Sequence, residues 1–218
     1  MTVMQQTEEW LRRMILDMEI GPGERLTERW IEGKTGASRS SVRTALFRLE
    51  AEGLVSRAER GWTVPPISLD EIEQLFIYRE VLEVAAVRLG GQGISDANFL
   101  EIEAVLDAVT PSATPEQLEM AGRQFHLWIA GIARNQFISR GLGDALTRLQ
   151  RARWLESNPG HHGWEEHRAI VAALRNGEIE RAAELVAAHV RGTRDRLLEI
   201  LRKERRSLRA RGATILPA

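Results

Sequence analysis

The sequence predicts a mainly α-helical protein built from two parts. The N-terminal part combines three short helices with a two-stranded hairpin, and the C-terminal part is an antiparallel bundle of about six helices. Apolar residues recur at helical spacing along most of the chain. Strand-like segments occur only before the stiff pair Pro65-Pro66, which serves as a linker. We therefore place a domain boundary at residue 66, which gives the domains 1–66 and 67–218.

The N-terminal part begins with a helix that ends at a Gly-Pro-Gly break. Trp10, Met14 and Met18 recur every four residues and give this helix one apolar face. Gly21-Pro22-Gly23 ends the helix because proline lacks a backbone donor and glycine loosens the chain. A second, short helix is expected after Thr27, whose hydroxyl can accept a hydrogen bond from the free amides of the first turn.

The third helix and a hairpin complete this part. Ser38 is the predicted N-cap of the helix, and Gly53 is the residue that ends it. Its apolar positions are Val42, Ala45, Leu46 and Leu49. Two short strands follow at residues 54–57 and 61–64, around a charged turn. Helix, tight turn, helix and hairpin in this order are typical of a winged helix-turn-helix domain.

The C-terminal part contains only helical signals. Capping boxes at Ser68-Leu69-Asp70-Glu71 and Thr114-Pro115-Glu116-Gln117 open the first and third of six predicted helices. Two breaks, Ser157-Asn158-Pro159-Gly160 and Asn176-Gly177, separate the last three helices. Short connections between helices of this length favour an antiparallel bundle.

Composition excludes several classes of protein. The chain has 218 residues, a net charge of −1 and no cysteine. It therefore has no disulfide scaffold, no thiolate zinc site and no cysteine nucleophile. No apolar run approaches the roughly 18 residues needed to span a bilayer, and the polar start is not typical of a secretory signal. We expect a cytoplasmic protein.

Local charge matters more than the net value for binding DNA. Residues 37–49 contain three arginines and no acidic residue. A second basic segment, from Arg202 onward, forms a C-terminal tail that we expect to be solvated. The near-zero net charge therefore does not exclude a nucleic-acid partner.

Side chains suited to DNA lie at the start of the third helix. Ser38-Arg39-Ser40 supplies hydroxyls and a guanidinium where free amides and the helix dipole also attract phosphate. Arg43 lies one turn further on the same face, and major-groove readout needs such donors on one helix face. The hairpin adds Arg57, Arg60 and Gly61, whose missing side chain lets the backbone approach DNA closely.

Three motifs of this part occur in a fixed order and spacing. They are Pro22-Gly23-Glu24-Arg25-Leu26, then Gly36-Ala37-Ser38-Arg39-Ser40-Ser41-Val42-Arg43-Thr44-Ala45-Leu46, then Leu49-Glu50-Ala51-Glu52-Gly53-Leu54-Val55. Together they resemble the GntR family of bacterial transcription regulators. The resemblance covers nearly all of residues 8–65.

The resemblance implies a set of operator-binding residues. By position in the motifs these are Arg29, Ser38, Arg39, Ser40, Arg43 and the hairpin glycine, Gly61. The sequence departs from the family pattern at Ser41, where a proline is usual, and at Thr44, where a glutamate is usual. We expect Ser41 to alter the preferred operator sequence without removing a type of DNA contact.

Three histidines, His126, His167 and His189, lie on predicted helix faces of the C-terminal part. They are far apart in the sequence, so only an antiparallel bundle would bring them together. Neutral imidazoles that converge inside a bundle suit Zn²⁺ or a similar divalent ion. Taken singly, each histidine also suits a hydrogen-bonded position in the core.

Arg79 is the candidate for binding a carboxylate effector, because guanidinium and carboxylate groups match as a two-bond fork. The spacing allows an equal alternative, a structural ion pair with Glu83 one turn along the same helix.

Four segments of the C-terminal part carry a second resemblance. They are Tyr78-Arg79-Glu80 with Leu82-Glu83, Phe125-His126 with Asn135, Glu166-His167-Arg168-Ala169-Ile170, and Ala182-Ala183 with His189. These segments resemble the FCD-type C-terminal domain of the FadR subfamily, and six helices resemble its VanR-like branch. The resemblance implies a ligand-binding bundle, a homodimer, and a divalent metal that helps to hold a carboxylate.

One departure weakens the implied metal site. Gly122 stands where the family has a metal-binding aspartate, one turn before His126. Two alternatives stay open. Three imidazoles hold zinc or a similar ion, with water or the effector completing its shell, or the pocket has no metal and the histidines bind the effector as donors.

The sequence thus predicts a ligand-responsive transcription regulator that is not an enzyme. We expect a homodimer that binds double-stranded operator DNA and a repressor that a small organic acid releases. One rival is a metal-dependent enzyme built on the three histidines, for which no positioned base or nucleophile is evident. The other is a non-specific architectural DNA binder, whose affinity would fall steeply with salt at any sequence.

Overall fold

The mainly α-helical prediction is confirmed by the computed structural model. It describes residues 1–110, 112–153, 163–210 and 215–216, without the side chains of residues 204–210. The helices of these residues are α1 (Val3–Leu16), α2 (Glu28–Thr35), α3 (Arg39–Ala51), α4 (Leu69–Gly90), α5 (Asp96–Asp107), α6 (Pro115–Ile132), α7 (Gln136–Arg153), α8 (Trp164–Arg175) and α9 (Ile179–Ala210). The strands are β1 (Arg25–Leu26), β2 (Ser56–Arg57), β3 (Trp62–Thr63), β4 (Ile67–Ser68) and β5 (Ile215–Leu216).

The capping residues predicted from the sequence begin the helices as expected. Thr27 accepts a hydrogen bond from the amide of Trp30, and Ser38 accepts one from the amide of Ser41. The capping box at Thr114 is complete, with both reciprocal hydrogen bonds formed. Six α-helices follow the linker in the described part of the chain, as predicted, and a short 3-10 helix, Gly91–Gly93, lies between α4 and α5. The predicted break at residues 157–160 lies outside the described residues.

Two compact units make up the chain. The first comprises Met1–Ile72 with the described ends of α7, from Arg148, and of α9, from Ile200. The second comprises the remainder of the helical bundle. Within the first unit, Arg151 donates to the carbonyl of Pro65 at 3.0 Å, and β4 pairs in parallel with β5.

Apolar positions of α1 and α3 form the core of the first unit. The fully buried members include Leu11, Ile15, Val42, Leu46 and Leu49. On α3 these are the positions that helical spacing predicts to face inward. The polar residues of α3 are therefore left at the surface. On α1 the predicted residues Trp10 and Met14 are only partly buried and Met18 lies beyond the helix, because the buried face is centred on Leu11 and Ile15.

The hairpin belongs to a sheet with one more strand than the sequence predicts. Its three antiparallel strands lie in the order β1-β3-β2. The extra strand, β1, pairs with β3, and two hydrogen bonds just before it continue the pairing: the amide of Gly23 donates to the carbonyl of Val64, and the amide of Val64 donates to the carbonyl of Glu24. A strand of two residues is too short to give a periodic sequence pattern. It is recognised only from its hydrogen-bonded pairing with β3.

Gly61, in the turn of the hairpin, has no room for a side chain. Its φ is +85°, and an added Cβ would lie 2.7 Å from the backbone oxygen of Leu26 in β1. We expect Gly61→Ala to lower the free energy of unfolding by about 1–3 kcal/mol, measured by urea denaturation. Gly33→Ala in α2 is the control, since its methyl group meets no atom within 4 Å and helices favour alanine. Equal stability of the two variants would contradict this assignment.

Candidate functional site

The start of α3 presents hydroxyl and guanidinium groups to solvent. Ser38 Oγ lies 3.0 Å from the hydroxyls of both Ser40 and Ser41. The side chains of Arg39 and Arg43 are 71% and 51% exposed. Free amides and the helix dipole at this end favour a phosphate, so the surface suits a DNA duplex.

Glu28, the first residue of α2, binds both of these arginines. Arg39 donates from Nε to Glu28 Oε2 at 2.7 Å, and Arg43 donates from Nε to Oε1 at 2.9 Å and from Nη2 to Oε2 at 3.2 Å. Hydrogen bonds from Arg43 and then Arg39 lower the pKa of the Glu28 carboxyl. Sequence reasoning missed Glu28, because it lies 11 and 15 residues from its partners.

All seven residues predicted to contact DNA are exposed. They are Arg29, Ser38, Arg39, Ser40, Arg43, Arg60 and Gly61. The hairpin adds Arg57, whose guanidinium lies 4.8 Å from the centre of the Phe47 ring and 4.9 Å from that of Trp62. Contacts of this kind hold a guanidinium in place through cation–π attraction.

A polar cluster lies buried in the second unit. Its members come from four helices and are each no more than 6% exposed. They are Arg79 and Glu83 of α4, His126 of α6, His167 of α8 and His189 of α9. One potential ligand atom from each histidine lies within 4.8 Å of the others. The bundle thus brings together the three histidines that the sequence singled out.

Arg79, Glu83 and His126 form a closed ring of hydrogen bonds. Arg79 donates from Nε to Glu83 Oε1 at 2.5 Å and from Nη2 to Nε2 of His126. His126 in turn donates from Nδ1 to Glu83 Oε2 at 2.8 Å. The ion pair between Arg79 and Glu83, one of the two alternatives at the sequence level, is therefore present.

Glu166 holds the third histidine in a similar way. His189 donates from Nδ1 to Glu166 Oε2 at 2.6 Å, and its Nε2 lies 3.2 Å from Nε2 of His167. A carboxylate on Nδ1 fixes the ring so that Nε2 is available inside the cluster. Carboxylates orient metal-binding histidines in this way.

Burial favours the uncharged form of two imidazoles of this cluster, those of His167 and His189. Desolvation lowers the pKa of His167 well below its usual value, and the neighbouring His126 and His189 lower it further. Desolvation also lowers the pKa of His189, against the opposing effect of Glu166. Neutral imidazoles retain the lone pairs that metal ions bind.

Two buried polar atoms of the cluster have no hydrogen-bond partner among the described residues. They are Nη1 of Arg79 and Nδ1 of His167. Buried polar atoms are nearly always satisfied. Unsatisfied atoms here indicate that the cluster has capacity for a ligand.

The donor set fits a divalent ion with three nitrogen ligands. Zinc binds three histidines readily and leaves a fourth position for water or a carboxylate. Gly122 supplies no ligand, and an added Cβ there would meet no atom within 4 Å. His126 Nε2 also accepts a hydrogen bond from Arg79, so the arginine and an ion compete for this atom.

Two family models match the chain. Residues 4–64 match the gntR family of bacterial regulatory proteins, and residues 74–192 match the FCD domain. The chain belongs to the gntR family. It is a transcriptional regulator with a DNA-binding domain and an FCD effector-binding domain, and its relatives are regulators rather than enzymes.

Several curated proteins resemble this GntR regulator along most of their length. The Nta operon transcriptional regulator of Aminobacter aminovorans is 28% identical, and the match covers 87% of this chain and 91% of that protein. The transcriptional repressor RspR of Escherichia coli is 27% identical, with 83% of each chain covered.

Solved structures share the fold. McbR/YncC of Escherichia coli has a TM-score of 0.77 at 21% identity, with 91% of this chain and 98% of that one covered. A transcriptional regulator of Rhodococcus sp. RHA1 has a TM-score of 0.76 at 22% identity, with 90% and 97% covered. Among the described residues, no helix has the length and apolar character to cross a membrane.

The lowered histidine pKa values predict the pH dependence of stability. The unfolded histidines titrate near pH 6.5 and the folded His167 and His189 titrate lower. Stability from these groups is therefore complete above pH 6.5 and is lost as the pH falls below it. In urea denaturation with a chelator present, His167→Asn should lose about 1 kcal/mol less than the wild type between pH 7.5 and 5.5. Parallel pH profiles would show that His167 is not held neutral.

Proposed function

We propose that this GntR regulator is a homodimeric repressor that releases its operator when a small organic acid binds the buried cluster. The observation that carries this proposal is the fully buried guanidinium of Arg79, whose Nη1 atom has no hydrogen-bond partner among the described residues and lies in the cluster of three histidines. The direction of control is supported by the similarity to RspR, which is named a transcriptional repressor.

A carboxylate is the ligand that best suits this site. Guanidinium and carboxylate groups form charge-assisted hydrogen bonds, which are about twice as strong as neutral ones. Glu83 already uses Nε of Arg79, so an acid would bind through the unpartnered Nη1. His126, His167 and His189 complete the proposed effector site around it.

A divalent ion such as zinc is part of the proposal. His126, His167 and His189 would hold it, and it would supply a positive charge that favours a carboxylate. Glu83 and Glu166 support this assignment, because each holds Nδ1 of one of these histidines.

A second copy of the chain is the proposed partner of the bundle. Ile77 and Val81 lie one turn apart on α4 and are 50% and 61% exposed. An exposed apolar pair of this kind suits a dimer interface. Two copies of α3 would then read a nearly palindromic operator. The predicted cytoplasmic location, where a bacterial chromosome lies, belongs to the same proposal.

The operator-reading residues can be tested by substitution. The protein selects a duplex from a randomised pool, and fluorescence anisotropy at physiological salt measures its affinity. Arg39→Ala with Arg43→Ala should weaken binding by on the order of 100-fold, because each removes a base or phosphate contact. Arg88→Ala with Arg181→Ala, which removes two exposed arginines of the second unit, should leave the affinity unchanged.

Unchanged affinity of the first double variant would contradict the assignment of α3 as the reading helix. Equal weakening on every duplex sequence would favour the non-specific architectural binder.

Calorimetry tests the metal part of the proposal. Zinc titrated into chelator-stripped protein should bind once per chain and raise the melting temperature. His189→Asn should remove most of the heat, because it deletes one of three ligands. Absence of heat and of any thermal shift in the wild type would leave the alternative, a metal-free effector pocket.

A further inference from the structure

The two arginines at the start of α3 share a single carboxylate. Glu28 receives three hydrogen bonds from Arg39 and Arg43, one turn apart on the helix. The Glu28 side chain is only 17% exposed, whereas the arginines it binds are mostly exposed. The carboxylate therefore lies beneath the two guanidinium groups, on the protein side.

The hydrogen bonds leave one edge of each guanidinium available. Among the described residues, Arg39 bonds Glu28 through Nε alone, and Arg43 bonds it through the edge formed by Nε and Nη2. Each Nη group carries two hydrogens. The edge formed by the hydrogens of Nη1 and Nη2 that lie side by side, away from Nε, makes none of these hydrogen bonds with Glu28. Two parallel N–H groups of this kind match O6 and N7 of guanine in the major groove.

We propose that Glu28 is a positioning residue for operator readout, which holds the guanidinium groups of Arg39 and Arg43 so that their outer edges face guanine. The inference rests on the proposed operator binding by α3. Glu28 acts through the two arginines and does not itself contact DNA.

The position of Glu28 in α2 makes it a firm support. It is the first residue of the helix, directly after the N-cap Thr27. A carboxylate in the first turn is stabilised by the helix dipole. Long arginine side chains lose rotamer freedom when they bind DNA, and arginines already fixed in the free protein lose less.

The charge of Glu28 adds a second effect. Non-specific binding depends on how many phosphates the protein neutralises. A carboxylate beside two arginines reduces the attraction for any phosphate backbone, whatever its sequence. Glu28 should therefore raise the affinity for the operator and lower the affinity for other DNA.

The opposite role would be a competitor, in which Glu28 holds the arginines away from DNA. The two roles differ in the sign of one measurement. Removal of a positioning residue lowers the ratio of operator affinity to non-specific affinity. Removal of a competitor raises the operator affinity and does not lower this ratio.

The experiment measures both affinities for the full-length protein and its variants. The probes are the duplex selected by the wild type and a scrambled duplex of the same length. Glu28→Gln keeps the shape and removes the charge. Glu32→Gln, one turn later on α2, is the matched control because it makes the same charge change away from Arg39 and Arg43.

We expect Glu28→Gln to lower the affinity ratio about tenfold, because guanine contacts lose their fixed donors. Non-specific affinity should rise roughly twofold to threefold in both variants. Replacing a guanine of the half-site should also reduce the operator affinity of Glu28→Gln by a smaller factor than it reduces that of the wild type. If Glu28 only stabilised the fold, its substitution would not change the relative loss of affinity at each guanine.

Equal affinity ratios for Glu28→Gln, Glu32→Gln and the wild type would overturn the inference, as would a gain in operator affinity. If Glu28→Gln does not fold, Glu28→Asp provides the test, since its shorter side chain cannot reach both arginines and the ratio should still fall. The double variant Arg39→Ala with Arg43→Ala separates the two levels. If the double variant binds the operator with wild-type affinity, the proposed function is wrong. If the double variant loses binding but the Glu28 variants bind like the wild type, only the positioning role is wrong.

Discussion

A guanidinium that no water reaches must have its charge balanced inside the protein, because an uncompensated buried charge costs several kcal/mol. Arg79 is such a group, with a side chain that is 0% exposed. Glu83 balances its charge and also binds His126, which closes the ring. Burial keeps the pKa of His167 well below its usual value, and the nearby His126, His189 and Arg79 lower it further against the opposing effect of Glu83. Within the described part of the chain, the result is a buried site with one unsatisfied cationic donor, Nη1 of Arg79, beside the ring nitrogens of three histidines. The free N–H groups of Arg79 suit an anion, and the imidazole nitrogens suit a metal ion. The ligand expected here is therefore an anion, alone or together with a metal ion.

The first unit uses carboxylates differently. The arginines that Glu28 binds are exposed, and exposed ion pairs contribute only about 0–1 kcal/mol. These pairs add little to the free energy of unfolding, but they fix the direction of two guanidinium groups that solvent still reaches. The fold keeps these arginines at the surface because the opposite face of α3 supplies core residues such as Leu46. Burial therefore separates the two kinds of site: the charged groups of the bundle are enclosed, whereas the arginines of α3 keep an exposed edge that DNA can reach.

Local signals made much of the fold predictable. Short-range patterns placed the N-caps Thr27, Ser38 and Thr114 and the inward face of α3, because each depends on residues within one or two turns. Contacts between residues far apart in the sequence were not predictable. The strands β1 and β5 have two residues each, which is too short for a sequence pattern. Glu28 contacts Arg43 only because α2 packs against α3. The convergence of the three histidines followed from an antiparallel bundle and from family resemblance, whereas spacing alone left them as ordinary core residues. Only the structure shows that the carboxylates of Glu83 and Glu166 bind Nδ1 of His126 and of His189.

The proposed function requires the buried cluster to control the affinity of α3 for DNA. The most direct measurement is operator affinity, by anisotropy, as a panel of small carboxylates is added to the wild type and to His189→Asn in the presence of zinc. We predict equal operator affinity for both proteins without acid, and release by at least one acid from the wild type only. Equal release from both proteins, or no response of the wild type to any acid in the panel, would contradict the claim.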